Sequence, residues 1–268
     1  MRFAMNPNAL ITIGSKINKL SVLLCLVSLI SMGCASPELQ EKELETQKSR
    51  ARAHTDLGAA YFQQKQWEIA LEEFTVATKI DPNFASAYNG LGLVNAQLGK
   101  DELADENFRK AIQLEPLNSE AHNNYGSFLC GKNRFDESIT EFLAAVKNPL
   151  YATPAMAYTN AAICSIRKKN SVDAETYLQK ALQLEPLSQA AAYQLSSIQF
   201  KRNDAVTAKR TLQNVLLNRP GPEVLWLAIQ IERAVGAKDA EASYALQLRR
   251  QFPDSEQTKL LLGGVNRE

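Results

Sequence analysis

The chain has 268 residues, 45% of them hydrophobic, and its 30 Lys and Arg nearly balance 29 Asp and Glu for a formal net charge of +1. A balance this even, with no basic block, excludes the electrostatic footprint of a nucleic-acid binder. Two histidines, four cysteines and no Cys-x-x-Cys leave no zinc ligands at the usual spacing.

The first element in chain order is a leader. Lys16 and Lys19 precede an uncharged run from Leu20 to Met32, LSVLLCLVSLISM, which ends at the small residue Gly33. That is the layout of a secretory signal. The run is too short and too rich in serine for a membrane-spanning helix, which needs roughly 20 mostly apolar residues. Cys34, directly after Ile-Ser-Met-Gly, resembles the bacterial lipobox, in which the thiol is acylated with diacylglycerol and the peptide is cut just before it. The resemblance implies a signal peptide over residues 1–33 and a mature chain held by more than one acyl chain on Cys34. Ala35 and Ser36, in place of an aspartate, imply onward export to the outer membrane. The alternative is an ordinary signal peptide with an incidental cysteine, because Ser31 stands where the motif favours leucine. A start at Met5 would only shorten the leader. Its removal takes Arg2, Lys16 and Lys19 and no acid, which leaves 27 Lys and Arg against 29 Asp and Glu.

Residues 34–50, containing SPELQEKELETQKSR, are polar and mostly charged. They are expected to form a tether, helical near Ala51 and otherwise mobile. Beyond it the chain repeats itself. Pro82 and Pro116 are 34 residues apart, as are Pro186 and Pro220, while 70 residues separate Pro116 from Pro186, two repeats with two extra residues. The frame fills in around the prolines: Leu57-Gly58, Ala70, Phe74 and Ala77; Leu91-Gly92, Ala104, Phe108 and Ala111; Tyr125-Gly126, Ser138, Phe142 and Ala145. After an insertion around Asn148-Pro149-Leu150-Tyr151 it resumes as Ala161-Ala162, Ala174, Leu178 and Ala181, then Leu195-Ser196, Ala208 and Leu212. A weaker sixth copy has Trp226, Ala242, Leu246 and Pro253.

This spacing resembles the tetratricopeptide pattern, and the likeness covers residues 51–255 in six units that start near Ala51, Ala85, Ser119, Ala155, Gln189 and Glu223. It implies an all-α fold, a right-handed α-solenoid of six helical hairpins, closed by a capping helix or tail over 256–268. Small residues at Gly58, Gly92 and Gly126 let paired helices approach, and phenylalanines at 74, 108 and 142 fill the grooves. Proline ends each unit because it cannot continue a helix, and the units must stack because a lone hairpin leaves its apolar face wet.

Catalytic constellations are missing: there is no Gly-x-Ser-x-Gly, no phosphate-cradling loop and no His-Glu-x-x-His. The sequence therefore predicts no enzyme, no metal, no cofactor, no small-molecule substrate and no nucleic acid. His54 and His122 occupy the fourth position of their repeats, where Tyr88 and Trp226 sit in others, and are expected to pack between helices. The candidate partner-binding residues are those that such a frame places on the inner, concave face: Asn89, Asn123, Met156, Ile163, Ile166, Tyr193 and Phe200. An apolar wall there suits a partner's helix or extended segment, and packing within the core is the equal alternative. Val224, Leu227 and Ile231 share these positions in the sixth repeat, where a capping helix around Glu256 to Leu262 would cover them. Cys130 and Cys164 remain as an even pair, free to bridge in an oxidising compartment or to stay thiols.

Two stretches are more specific than the repeat. Asn123-Asn124-Tyr125-Gly126-Ser127-Phe128-Leu129-Cys130, and Asn148-Pro149-Leu150-Tyr151-Ala152-Thr153-Pro154 followed by Asn160-Ala161-Ala162-Ile163-Cys164, resemble the type IV pilus biogenesis and stability lipoproteins, as does the ending Ala242-Ser243-Tyr244-Ala245-Leu246-Gln247-Leu248. That resemblance implies a pilotin, a lipid-anchored protein on the periplasmic side of the outer membrane that binds subunits of the pilus secretin and promotes their assembly there. It also implies that Cys130 and Cys164 are bonded. A periplasmic lipoprotein adaptor that recruits cell-wall enzymes or proteases is the alternative.

Overall fold

A computed structural model describes residues 37–265. The predicted leader of residues 1–33, the lipobox Cys34 and Met5 lie outside the described residues. Two compact units divide the chain, residues 1–49 and residues 50–268.

Thirteen helices and no strand make up the described residues. Helix α1 (Pro37–Gln63) is longer than the expected tether allows, since it is helical from Pro37 onward. Proline at the first helical position and a run rich in Glu, Lys and Gln explain the extension, and this early part is exposed on nearly every side. The remaining helices are α2 (Trp67–Ile80), α3 (Ala85–Gln97), α4 (Asp101–Leu114), α5 (Ser119–Gly131), α6 (Phe135–Ala145), α7 (Pro154–Arg167), α8 (Ser171–Leu184), α9 (Gln189–Lys201), α10 (Ala205–Leu216), α11 (Pro222–Ala234), α12 (Lys238–Gln251) and α13 (Glu256–Val265). Odd-numbered helices from α3 to α11 are the first helices of repeats two to six. The all-α solenoid of tetratricopeptide hairpins is the fold.

Each hairpin turns in the same way. A residue in the left-handed region stands between the two helices: Lys65, Gly99, Asn133, Lys169, Asn203 and Gly236, with φ from 60° to 77°. The next amide reaches back five residues, as in Gln66 N to Tyr61 O (3.0 Å), Lys100 N to Asn95 O (2.8 Å) and Asn170 N to Ser165 O (2.8 Å). This closes the end of every first helix in a Schellman-type cap.

Glycine sets how closely the paired helices lie. A Cβ added at Gly58, Gly92 or Gly126 would come within 2.9, 2.7 and 2.9 Å of the Phe74, Phe108 and Phe142 rings respectively. The phenylalanines therefore sit on the glycines of their own repeat. Phe74 also faces Gly90 of the next repeat, where a Cβ would lie 2.3 Å from the ring.

The insertion separates α6 from α7. Asn148 holds it: its Nδ2 donates to the Leu117 carbonyl of the preceding inter-repeat turn (3.1 Å), and its Oδ1 accepts from Leu150 N (3.0 Å). At the far end, α13 places Leu261 against Leu225, Ile229 and Leu248. Val224, Leu227 and Ile231 are instead buried against Ala192, Ala208, Leu212 and Val215 of the fifth repeat, so in this repeat those positions are core and the cap covers a different face.

Candidate protein-binding face

The first helices of consecutive repeats lie side by side, and asparagines bridge them. Asn124 of α5 donates through Nδ2 to Asn89 Oδ1 of α3 (3.2 Å), and Asn160 of α7 donates to Asn123 Oδ1 of α5 (3.1 Å). Asn89 and Asn123 are buried, so the predicted pair forms the inner rail of this ladder. The half-buried partners Asn124 and Asn160 are the amides nearer to solvent. Both stand at the sixth position of their repeats, a signal visible once the frame is set.

The other predicted residues fall into three groups. Met156, 47% exposed, and Ile163 line a cleft of about 780 Å³ together with Tyr151, Thr159, Asn160 and Leu184. This cleft runs from the insertion to the turn at Glu185 and Ser188. Its apolar walls and few amide and hydroxyl groups are the composition of a recognition site. Ile166 lies in a separate hollow of about 340 Å³ with Ile198, Lys169 and Lys201. Tyr193 and Phe200 pack half-buried against the cluster of Ala192, Leu212, Val224 and Leu227. Sequence reasoning missed Tyr151 and Leu184, which belong to a loop and a second helix that the inner-position rule does not reach.

Cys130 of α5 and Cys164 of α7 face each other as a disulfide pair with Cα atoms 5.8 Å apart. Arg167 reaches back across the same junction, donating to the Cys130 carbonyl (2.8 Å) and to Asn133 Oδ1 (3.0 Å). Its guanidinium lies 5.5 Å from the Phe135 ring centre, a cation–π contact. The junction of α5 with α7, the first helices on either side of the insertion, is thus fastened.

The histidines have structural partners. His54 Nδ1 meets Glu73 Oε2 at 2.7 Å, and His122 Nδ1 meets Glu141 Oε2 at 2.6 Å. His122 Nε2 also faces the Pro116 carbonyl at 3.0 Å. Both groups facing His122 can accept, an arrangement that favours the doubly protonated ring. Burial pushes the His122 pKa down, but hydrogen bonds to Glu141 and Pro116 outweigh it and hold the ring above its ordinary value. Among the described residues, no group of three or more His, Cys, Asp or Glu is placed to hold a metal ion, and no helix is long and apolar enough to cross a membrane.

Two tetratricopeptide-repeat family models match the chain, one over residues 58–99 and one over residues 85–116. Over 240 residues the chain is 30% identical to the type IV pilus assembly protein PilF of Pseudomonas aeruginosa, covering 88% of this chain and 94% of that protein. The fold is similar to a solved structure of Pseudomonas aeruginosa PilF, with a TM-score of 0.70 and 27% identity over 82% of this chain and 99% of that one. It is also similar to the crystal structure of PilW, described as a widely conserved type IV pilus biogenesis factor, with a TM-score of 0.66 and 29% identity over 79% and 98% of the two chains.

Proposed function

The chain belongs to the type IV pilus biogenesis family of tetratricopeptide proteins that includes PilF and PilW, and from that premise we propose that it works as a pilotin. Acyl chains on Cys34 hold it on the periplasmic side of the outer membrane, and the array binds secretin subunits and promotes their localisation and assembly there. The protein makes no bond and breaks none; its work is capture. The oxidised Cys130–Cys164 pair keeps the binding face in register.

The observation that carries this reading is the cleft of Met156, Ile163, Tyr151 and Leu184, which the half-buried Asn160 of the asparagine ladder also lines. An extended or helical segment would lay apolar side chains on the first set, and the asparagines would satisfy its polar groups. Co-purification of the secretin subunit from detergent-solubilised envelopes tests it. Met156→Lys, at a half-exposed position, is expected to lower capture, as is Tyr193→Ala combined with Phe200→Ala. Cys34→Ala is expected to leave subunits mislocalised and pili reduced. Secretin multimers that still reach the outer membrane in the Cys34→Ala strain would overturn the assignment.

A further inference from the structure

A second surface lies on the edge where each second helix hands over to the next first helix. All hairpins run the same way, so these inter-repeat turns share one edge of the array. Large apolar side chains protrude from four of them in succession: Leu117 is 66% exposed, Leu150 89%, Leu187 51% and Leu217 86%. Single exposed leucines are ordinary, but recurrence on one edge is not, because solvated turns are built from Gly, Pro, Asn, Asp and Ser.

The first two of these leucines flank an open cleft of about 700 Å³, lined also by Glu115, Ser119, Glu120 and Tyr151. Neither Glu115 nor Glu120 enters an ion pair among the described residues, although Glu115 accepts a hydrogen bond from Asn118 Nδ2 (2.8 Å). Ser119 holds the first position of its repeat, which is alanine at 51, 85 and 155 and a longer polar residue at Gln189 and Glu223. It is only 6% exposed, and its Oγ has no hydrogen-bond partner. A buried hydroxyl without a partner costs free energy until something supplies one.

The sign of the cleft decides what that is. The N-terminus of α5 contributes roughly half a positive charge, against two full negative charges on Glu115 and Glu120; His122, behind the Pro116 carbonyl, is balanced by its own partner Glu141, so the cleft is net negative and favours a cation. The same sign repels an anionic lipid surface. We propose that this cleft receives a lysine or arginine side chain of a partner protein segment, whose neighbouring large apolar residues rest on Leu117 and Leu150. The surface adjoins the Met156 cleft across Tyr151, Ala152 and Thr153, which line both, so the array offers one partner two neighbouring footholds or two partners one each.

Fluorescence anisotropy of the full-length protein in non-ionic detergent tests this, with labelled amphipathic peptides of leucine and lysine or of leucine and glutamate as probes and detergent alone as background. The leucine–lysine peptide is expected to bind, and the leucine–glutamate peptide is not. Affinity should fall about tenfold in Glu115→Gln with Glu120→Gln, and by a similar factor in Leu150→Ser. All these positions are on the surface, so circular dichroism should be unchanged. The proposal fails if Leu150→Ser leaves the leucine–lysine affinity intact, which would mean mere charge attraction. It also fails if both peptides bind alike, if Leu150→Ser abolishes flotation with phosphatidylglycerol vesicles, or if it dissociates a dimer. Capture of secretin is read separately through Met156→Lys, so either assignment can fall alone.

Discussion

Repeats one to three and repeats four and five pack their paired helices by different means. In the first group a glycine faces a phenylalanine of its own repeat: Gly58 with Phe74, Gly92 with Phe108, Gly126 with Phe142. In the second the partners are Ala162 with Leu178 and Ser196 with Leu212, all buried. A larger residue on the first helix is matched by a smaller one on the second, so total volume at the contact is conserved, as close packing requires. Glycine inside a helix costs about 1 kcal/mol relative to alanine, and burying a whole aromatic ring offsets it. The change of solution falls between α6 and α7, where the insertion, the cysteine pair and Arg167 all lie. The array is thus two differently packed blocks joined at a reinforced seam.

The largest expected effect comes from opening that seam. The pair closes a loop of 34 residues, which the chain-entropy model values at about 4 kcal/mol. Cys130→Ser with Cys164→Ser, or reductant alone, should lower stability by up to that amount and split urea unfolding into two transitions, one per block. A single transition with an unchanged midpoint would mean that the seam needs no staple. Next in size, Gly92→Ala drives a methyl into the Phe108 ring and should destabilise by about 1 to 3 kcal/mol, with Phe108→Leu restoring much of the loss. A double-mutant cycle that sums without coupling would break the volume argument. In the second block Ala162→Gly makes no clash, so the expected loss is the helix penalty of about 1 kcal/mol plus roughly another 1 kcal/mol for the buried methyl removed from beside Leu178.

The sequence made the repeat frame, the hairpin count and the glycine–phenylalanine positions readable because each is a local steric demand with a fixed period. Cys130 and Cys164 fall at positions that adjacent first helices bring together, and the structure places them so. What the frame does not carry is which side of a position faces solvent. Asn89 and Asn123 are at inner positions, yet they turn toward the neighbouring helix while Asn124 and Asn160 remain nearer to water. Val224, Leu227 and Ile231 sit at inner positions of the last repeat but are swallowed by the fifth. The helix from Pro37 to Arg50 was hidden because charge and polarity suggest solvation, which an exposed helix also satisfies.

A smaller difference lies in the hairpin turns. Gly99, Asn133 and Asn203 suit the left-handed conformation, whereas Lys65 in the first block and Lys169 in the second hold it with a full side chain, at a cost of about 1 kcal/mol each. Lys65→Gly and Lys169→Gly should therefore each stabilise, by less than that amount because glycine also frees the unfolded chain. Unfolding followed separately in each block would assign the gain to the block that carries the change, and a loss in either would show that the lysine side chain makes a contact worth more than the strain.

The smallest effect is a pH dependence near neutrality that rests on His122, in the first block. His122 faces two acceptors, Glu141 and the Pro116 carbonyl, which hold its pKa above the ordinary value against the opposing effect of burial. A raised folded pKa means that the stabilisation is fully present below the unfolded pKa of about 6.5 and is lost as pH rises through the folded one. Stability of the first block should therefore decline from pH 6 to about pH 8, and the second block, whose shifted Tyr177 and Lys168 titrate only at higher pH, should not follow over that range. His122→Gln should flatten that decline, modestly, because Glu141 is still partly open to solvent and the pair is screened. If both blocks lose stability together over this range, or if the variant declines as the parent does, the imidazolium contributes nothing to the junction and the two blocks differ in packing alone.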